Sequence, residues 1–232
     1  MNERQSTILR LIVEKVIEHA EPVSSGLLVQ EYDLGISGAT VRNDMAALEE
    51  AGYLRQPHTS AVRVPTEKGY RFYLEHFVEP EVRGQAMEKM RARVLRQTDH
   101  ERTIKELAKL LVDLSGDAVI VGFGPRRSYY TGLAKLFAKP DFQDMEQVQA
   151  LSQLVDRFDD ILSGLFDELS GEPRVFLGER NPFGRGVSAV VVKVRCPDRA
   201  HVIGLVGPTR MDYARNLNLL LSAHHLMEEE HL

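Results

Sequence analysis

The chain has 232 residues, enough for two domains rather than one. Its 29 Lys and Arg against 34 Asp and Glu leave a formal net charge of -5, which excludes a globally basic nucleic-acid coat. With 43% apolar and 7% aromatic residues, ordinary cores can form and a disordered tail is excluded. The lone cysteine, Cys196, rules out an internal disulfide and fits a reducing compartment. No apolar run approaches the ~20 residues that span a bilayer, and the opening MNERQSTILR lacks the apolar core of a secretion signal. A cytoplasmic protein without membrane contact is expected.

In chain order, Ile8, Leu11, Ile12 and Val16 recur at helical spacing and predict an amphipathic helix over 4–20. Glu21-Pro22 ends it, and Ser24 or Ser25 caps a short helix over 26–32. Ser37 is a good N-cap for a third helix that reaches about Ala51 and stops at Gly52. The rhythm then changes. Residues 53–56 and 61–64 read as two short strands, and Thr66 restarts a helix that ends before Pro80. Three helices, a small hairpin and a further helix over 1–80 is the order of a winged helix-turn-helix.

Residues 81–115 are charged and helical and read as a connecting segment. Beyond them the pattern is mixed. Strands are predicted at 118–123, 174–177, 188–195 and 201–206, the last two as an antiparallel hairpin. Helices are predicted at 129–138, 141–169 and 210–229. The fold class is therefore α+β, a winged helix followed by an α+β domain with an antiparallel sheet over 116–232.

Within the third helix Val41, Met45 and Leu48 share one side and should face the core. Asn43 projects roughly opposite, flanked by Thr40 and Arg42, where a helix-turn-helix reaches into the major groove. Arg can read guanine and Asn adenine with paired hydrogen bonds; the plain alternative is a solvated helix face. Charge favours the former. Residues 1–80 hold 8 basic against 12 acidic side chains, yet 52–74 carry Arg55, Arg63, Lys68 and Arg71 against Glu67 alone. This local net charge of +3 suits phosphate contacts that orient the protein while the helix reads bases. The helix starts at Ser24–Gly26, Ser37–Ala39 and Thr66–Lys68, with Ser25 and Ser37 among them, offer further amide donors to phosphates.

The run SGATVRNDMAALEEAGYLRQPHTSAVRVPTEKGYRFY, Ser37 to Tyr73, resembles the heat-inducible transcription repressor HrcA family. So do NERQSTILRLIVEKVIEHAEPVSS, YYTGLAKLFAKPDFQD and IGLVGPTRMDYARNL further along. The resemblance implies a non-enzymatic repressor of chaperone operons, dimeric on an inverted-repeat operator in double-stranded DNA, whose active fold a chaperonin helps maintain. It implies no cofactor and no metal. By matching positions it places Thr40, Arg42 and Asn43 at bases, and His58, Thr59, Ser60, Arg63, Lys68 and Arg71 at the wing and nearby backbone. The second domain is expected to be a reduced GAF-like fold. Val62 stands where the family wing has Gly, so a different wing tip is expected. Only a few residues separate the strand at Ala118 from Tyr129-Tyr130, so the family's inserted dimerisation region is expected to be missing.

Other readings were weighed on their residues. Arg210, Asp212 and Tyr213, in GPTRMDY, are expected to fix local packing or a subunit contact rather than bind a ligand. His224, His225 and His231 lack metal-ligand spacing. Gly184-Arg185-Gly186 resembles part of the nucleotide loop of biotin protein ligases but continues without their Gly, Arg and Trp. A metabolite-responsive repressor is the alternative function, its sensor pocket lined by Phe123, Tyr129, Phe176 and Phe183.

Overall fold

The computed structural model describes residues 1–57, 61–82, 84–94, 99–124, 127–196 and 199–229. The chain divides into two compact units, Met1–Val78 and Glu79–Leu232. Residues 81–115, expected as a connector, fall within the bounds of the second unit.

The first unit opens with α1 (Glu3–His19), held by an Asn2–Gln5 capping box and closed by Ala20 in the left-handed conformation. A two-residue strand, β1 (Val23–Ser24), follows, and Ser24 then caps α2 (Ser25–Glu31). Ser37 caps α3 (Gly38–Glu50); β2 (Leu54–Arg55) and β3 (Val62–Pro65) form the wing, and Thr66 caps α4 (Glu67–Phe77). The three strands pair in the order β1-β3-β2, all antiparallel. Strand β1 escaped the sequence reading because two residues carry no periodicity. Ile8, Leu9, Ile12, Leu28, Val41, Leu48 and Leu54 form the buried centre. Val62 lies in β3 opposite Ser24, in extended backbone that a β-branched residue favours.

The second unit begins with α5 (Gly84–Val94) and α6 (His100–Ser115), followed by β4 (Ala118–Gly122) and β5 (Ser128–Thr131). Then come α7 (Leu133–Phe137), a 3-10 turn at Pro140–Phe142, α8 (Met145–Asp156) and α9 (Phe158–Leu165). β6 (Arg174–Phe176), β7 (Val187–Cys196), β8 (Arg199–Pro208) and α10 (Tyr213–Glu229) complete it. The five strands form one antiparallel sheet in the order β5-β4-β8-β7-β6. One face, with Ala118, Ile120, Ala189, Val191 and Val206, packs on Leu136, Leu151, Phe158, Ile161 and Leu162 from α7 to α9. The other packs on α6 and α10. Helices on both faces explain why β4 is buried throughout and reads as an unbroken apolar run.

Two expected helices need correction. The first part of 129–138 is strand: Tyr129, Tyr130 and Thr131 pair with Val121, Ile120 and Val119. Gly132, at φ 82, then turns the chain into α7. There a Cβ would sit 2.7 Å from Val112 Cγ2, so both conformation and space require glycine. The expected helix over 141–169 is instead divided at Arg157, a non-helical residue between α8 and α9.

Candidate nucleic-acid interface

Helix α3 is anchored by the residues that point inward. Val41, Met45 and Leu48 are buried, and so is Asp44, which takes Arg4 Nε at 2.6 Å and Nη2 at 3.2 Å. This charge-assisted fork ties the middle of α3 to the start of α1. At the helix start, Ser37 Oγ accepts the Thr40 amide at 3.2 Å and lies 3.0 Å from the Thr40 hydroxyl. Thr40 is therefore half-buried and partly engaged in the cap. Arg42 and Asn43 differ. Both are exposed, and among the described residues neither side chain has a hydrogen bond or ion pair. Ser25 opens α2 with its side chain buried, whereas Ser24 supplies the cap through the Leu27 amide at 3.1 Å.

The basic residues of the wing are less available than their count implies. Arg63 donates to Glu49 Oε2 at 2.9 Å and 2.8 Å and to the Val62 carbonyl at 3.1 Å, leaving its side chain 15% exposed. Lys68 donates to the Ala51 carbonyl at 2.8 Å and sits 4.2 Å from the Tyr53 ring centre, closing the C-terminus of α3. Arg71 pairs with Glu67 one turn earlier at 2.8 Å. Arg55 is exposed and has no ion pair among the described residues. A charge count over 52–74 omits Glu49, which lies outside that window yet neutralises Arg63. His58, Thr59 and Ser60 fall outside the described residues.

The sites expected in the second unit are internal. Arg210 holds Asp141 through Nε at 3.0 Å and Nη2 at 2.6 Å, a pair far apart in sequence. Asp212 accepts the Arg215 amide at 3.0 Å at the start of α10. Tyr213 is fully buried, and its hydroxyl reaches Ser188 Oγ at 2.9 Å and the Thr209 carbonyl at 2.5 Å. The four aromatics expected to line one pocket are split between opposite edges of the sheet. Phe123 meets His201 beside β4, while Phe176 and Phe183 meet each other beside β6. Among the described residues no helix is long and apolar enough to cross a membrane.

A capped, outward-facing α3 beside a three-stranded wing defines a winged helix-turn-helix protein with an α+β second domain. Residues 4–67 match the DeoR-like helix-turn-helix domain, and residues 70–217 match the HrcA protein C-terminal domain. The chain belongs to the HrcA family. It is 43% identical over 119 residues to the heat-inducible transcription repressor HrcA of Bifidobacterium adolescentis, covering 51% of this chain and 32% of that one. The Desulforudis audaxviator protein of the same name is 42% identical over 111 residues, covering 48% and 31%. The matched stretches thus span about a third of those relatives' length. A crystal structure described as that of a hypothetical protein has the same fold, with a TM-score of 0.77 at 21% identity over 99% of this chain and 97% of that one.

Proposed function

We propose that the chain is a sequence-specific transcriptional repressor, with no catalytic role, that acts as a homodimer on an inverted-repeat operator. One observation carries this reading: α3 is fixed from behind by Val41, Asp44, Met45 and Leu48 while Arg42 and Asn43 stand exposed and, among the described residues, uncommitted. A polar pair that no described residue engages, on the helix that enters the major groove in this motif, suits base recognition. Arg55 in β2, with His58, Thr59 and Ser60 beyond it, supplies the wing side, and Lys68 and Arg71 flank it. Two copies on a two-fold axis would read half-sites separated by about one helical turn, roughly 34–36 Å. The relatives' name, heat-inducible transcription repressor, supports control by heat. Chaperone operons as targets and a chaperonin as partner follow from the family resemblance. The dimer would have to form without the inserted region expected between β4 and Tyr129.

The test is binding to an inverted repeat selected from random DNA, compared with a scrambled duplex. Arg42→Ala should remove about 1–3 kcal/mol of discrimination without changing the fold. Retained preference for the selected repeat would overturn the assignment of α3. Light scattering with the repeat present should give a dimer, and a monomer would remove the two-fold reading.

A further inference from the structure

The second unit contains a cleft that DNA recognition leaves unused. It lies between α5, α6 and α10 and has a volume of about 210 Å³. Ala86, Leu114 and Leu219 supply an apolar floor, and Gln85, Lys89 and Arg215 stand around it. Asn218 also lines the cleft, although its residue surface is only 5% exposed.

The charged groups here have one sign. Asn218 Oδ1 accepts the Glu81 amide at 2.7 Å, which fixes the orientation of the side-chain amide. Its NH2 group has no hydrogen-bond partner among the described residues and is not one of the buried polar atoms left unpaired. Lys89 and Arg215 are exposed and, among the described residues, make no ion pair. Among the described residues no carboxylate lines the cleft. Asp212, one turn before Arg215, spends Oδ1 on the Arg215 amide. Lys, Arg and the free Asn nitrogen are all donors and none is an acceptor. An anion entering the cleft would therefore find two cations and an amide donor to pair with.

We propose that this cleft binds a small organic anion, a monocarboxylate with a short apolar tail. The carboxylate meets Lys89, Arg215 and the Asn218 amide nitrogen, and the tail lies on Ala86, Leu114 and Leu219. The volume is below the roughly 300–1,000 Å³ of sites for drug-sized ligands, which favours a compact molecule. The apolar floor separates this class from inorganic phosphate, which has nothing to place there. The site is distinct from the Phe123, Tyr129, Phe176 and Phe183 set. It does not depend on the DNA-binding reading, because occupancy is measured without DNA.

Calorimetric titration of the full chain with hexanoate, hexanol, hexylamine and inorganic phosphate tests it. Hexanoate should bind saturably, and more tightly than the other three. Lys89→Glu and Arg215→Glu should each weaken hexanoate roughly tenfold or more through loss of a charge-assisted contact. Both side chains are exposed, so melting temperatures should match the parent. Arg185→Glu, at a position 86% exposed elsewhere in the unit, should leave binding unchanged. Failure of any carboxylate from butyrate to octanoate to saturate at millimolar concentration would overturn the proposal. Equal binding of hexylamine or phosphate, or hexanoate affinity unaffected by both charge reversals, would also overturn it.

Discussion

The two units dispose of their polar groups in opposite ways. In the first, Arg4–Asp44 and Arg63–Glu49 neutralise one another, and the side chains left uncommitted among the described residues, Arg42, Asn43 and Arg55, are exposed. In the second, much of the polar chemistry turns inward. Asp117 is 2% exposed, holds Lys139 in an ion pair and accepts Asn216 Nδ2 at 2.7 Å; Arg210–Asp141 and Tyr213–Ser188 lie nearby in the same unit. A buried carboxylate needs such partners, and removing one leaves an uncompensated charge. The difference teaches that availability, rather than charge count, separates a residue that binds from one that braces. Arg63 and Arg42 are equally basic, yet Arg63 is held by Glu49 while Arg42 has no partner among the described residues.

The comparison breaks most completely if the scaffold behind α3 is removed. Gly69 lies in the first turn of α4, where a Cβ would run into the Tyr53 carbonyl oxygen and approach Pro65 Cβ at 3.4 Å. That oxygen is pinned by the Thr66 amide at 3.0 Å and the Thr66 hydroxyl at 3.1 Å, so neither side can yield easily. Gly69→Ala should destabilise the first unit by about 1–3 kcal/mol or more, although Ala is the better helix former. Amide exchange should accelerate from α1 to α4 while β7 and β8 stay protected. Gly84→Ala, with nothing within 4 Å of the added carbon, is the control and should be neutral. Equal effects of the two changes would mean that the contact at Tyr53 is relieved by local movement.

The same contrast explains what could be read from the chain alone. Ser24, Ser37 and Thr66 were legible as caps because a short hydroxyl side chain before an amphipathic run has one favourable role. The inward face of α3 followed from helical spacing. β5 was missed because Ser128-Tyr129-Tyr130-Thr131 adjoins a helical pattern, although its aromatic and β-branched residues and Gly132 carried the signal. Arg63–Glu49, Arg4–Asp44 and Arg210–Asp141 join residues that only the tertiary fold brings together. Those pairs decide which cations remain free, so the recognition helix was readable while the state of the wing charges was not.

Salt dependence sharpens the contrast within the wing itself. If Arg55 reaches a phosphate, Arg55→Ala should weaken binding to selected and scrambled DNA alike and lower the salt slope by about 1. Arg63→Ala should change the slope less, because Glu49 already compensates its charge at 2.8 Å. Glu49→Gln is then informative. It frees Arg63 and should steepen the slope in the parent but have no such effect in Arg63→Ala. A slope that falls equally for Arg55→Ala and Arg63→Ala would show that Arg63 leaves Glu49 when DNA binds.

The smallest expected effect belongs to the second unit and follows from its inward polarity. His224 on α10 is buried so closely that a Cβ at Gly171 would lie 2.6 Å from ring atoms. Desolvation holds its pKa below the ordinary 6.5; Glu228, 3.4 Å from Nε2, opposes this, while His225 and Arg195 add to it. The folded chain therefore binds fewer protons than the unfolded chain between the lowered value and 6.5. The neutral ring's contribution is complete above 6.5 and is lost as pH falls through the folded value. Denaturant midpoints should decline as pH falls below 6.5, reported by probes on β7 and α10. His224→Gln, neutral across that range, should flatten the decline even if it lowers stability overall. An equally steep decline in that variant would assign the pH dependence to groups other than His224.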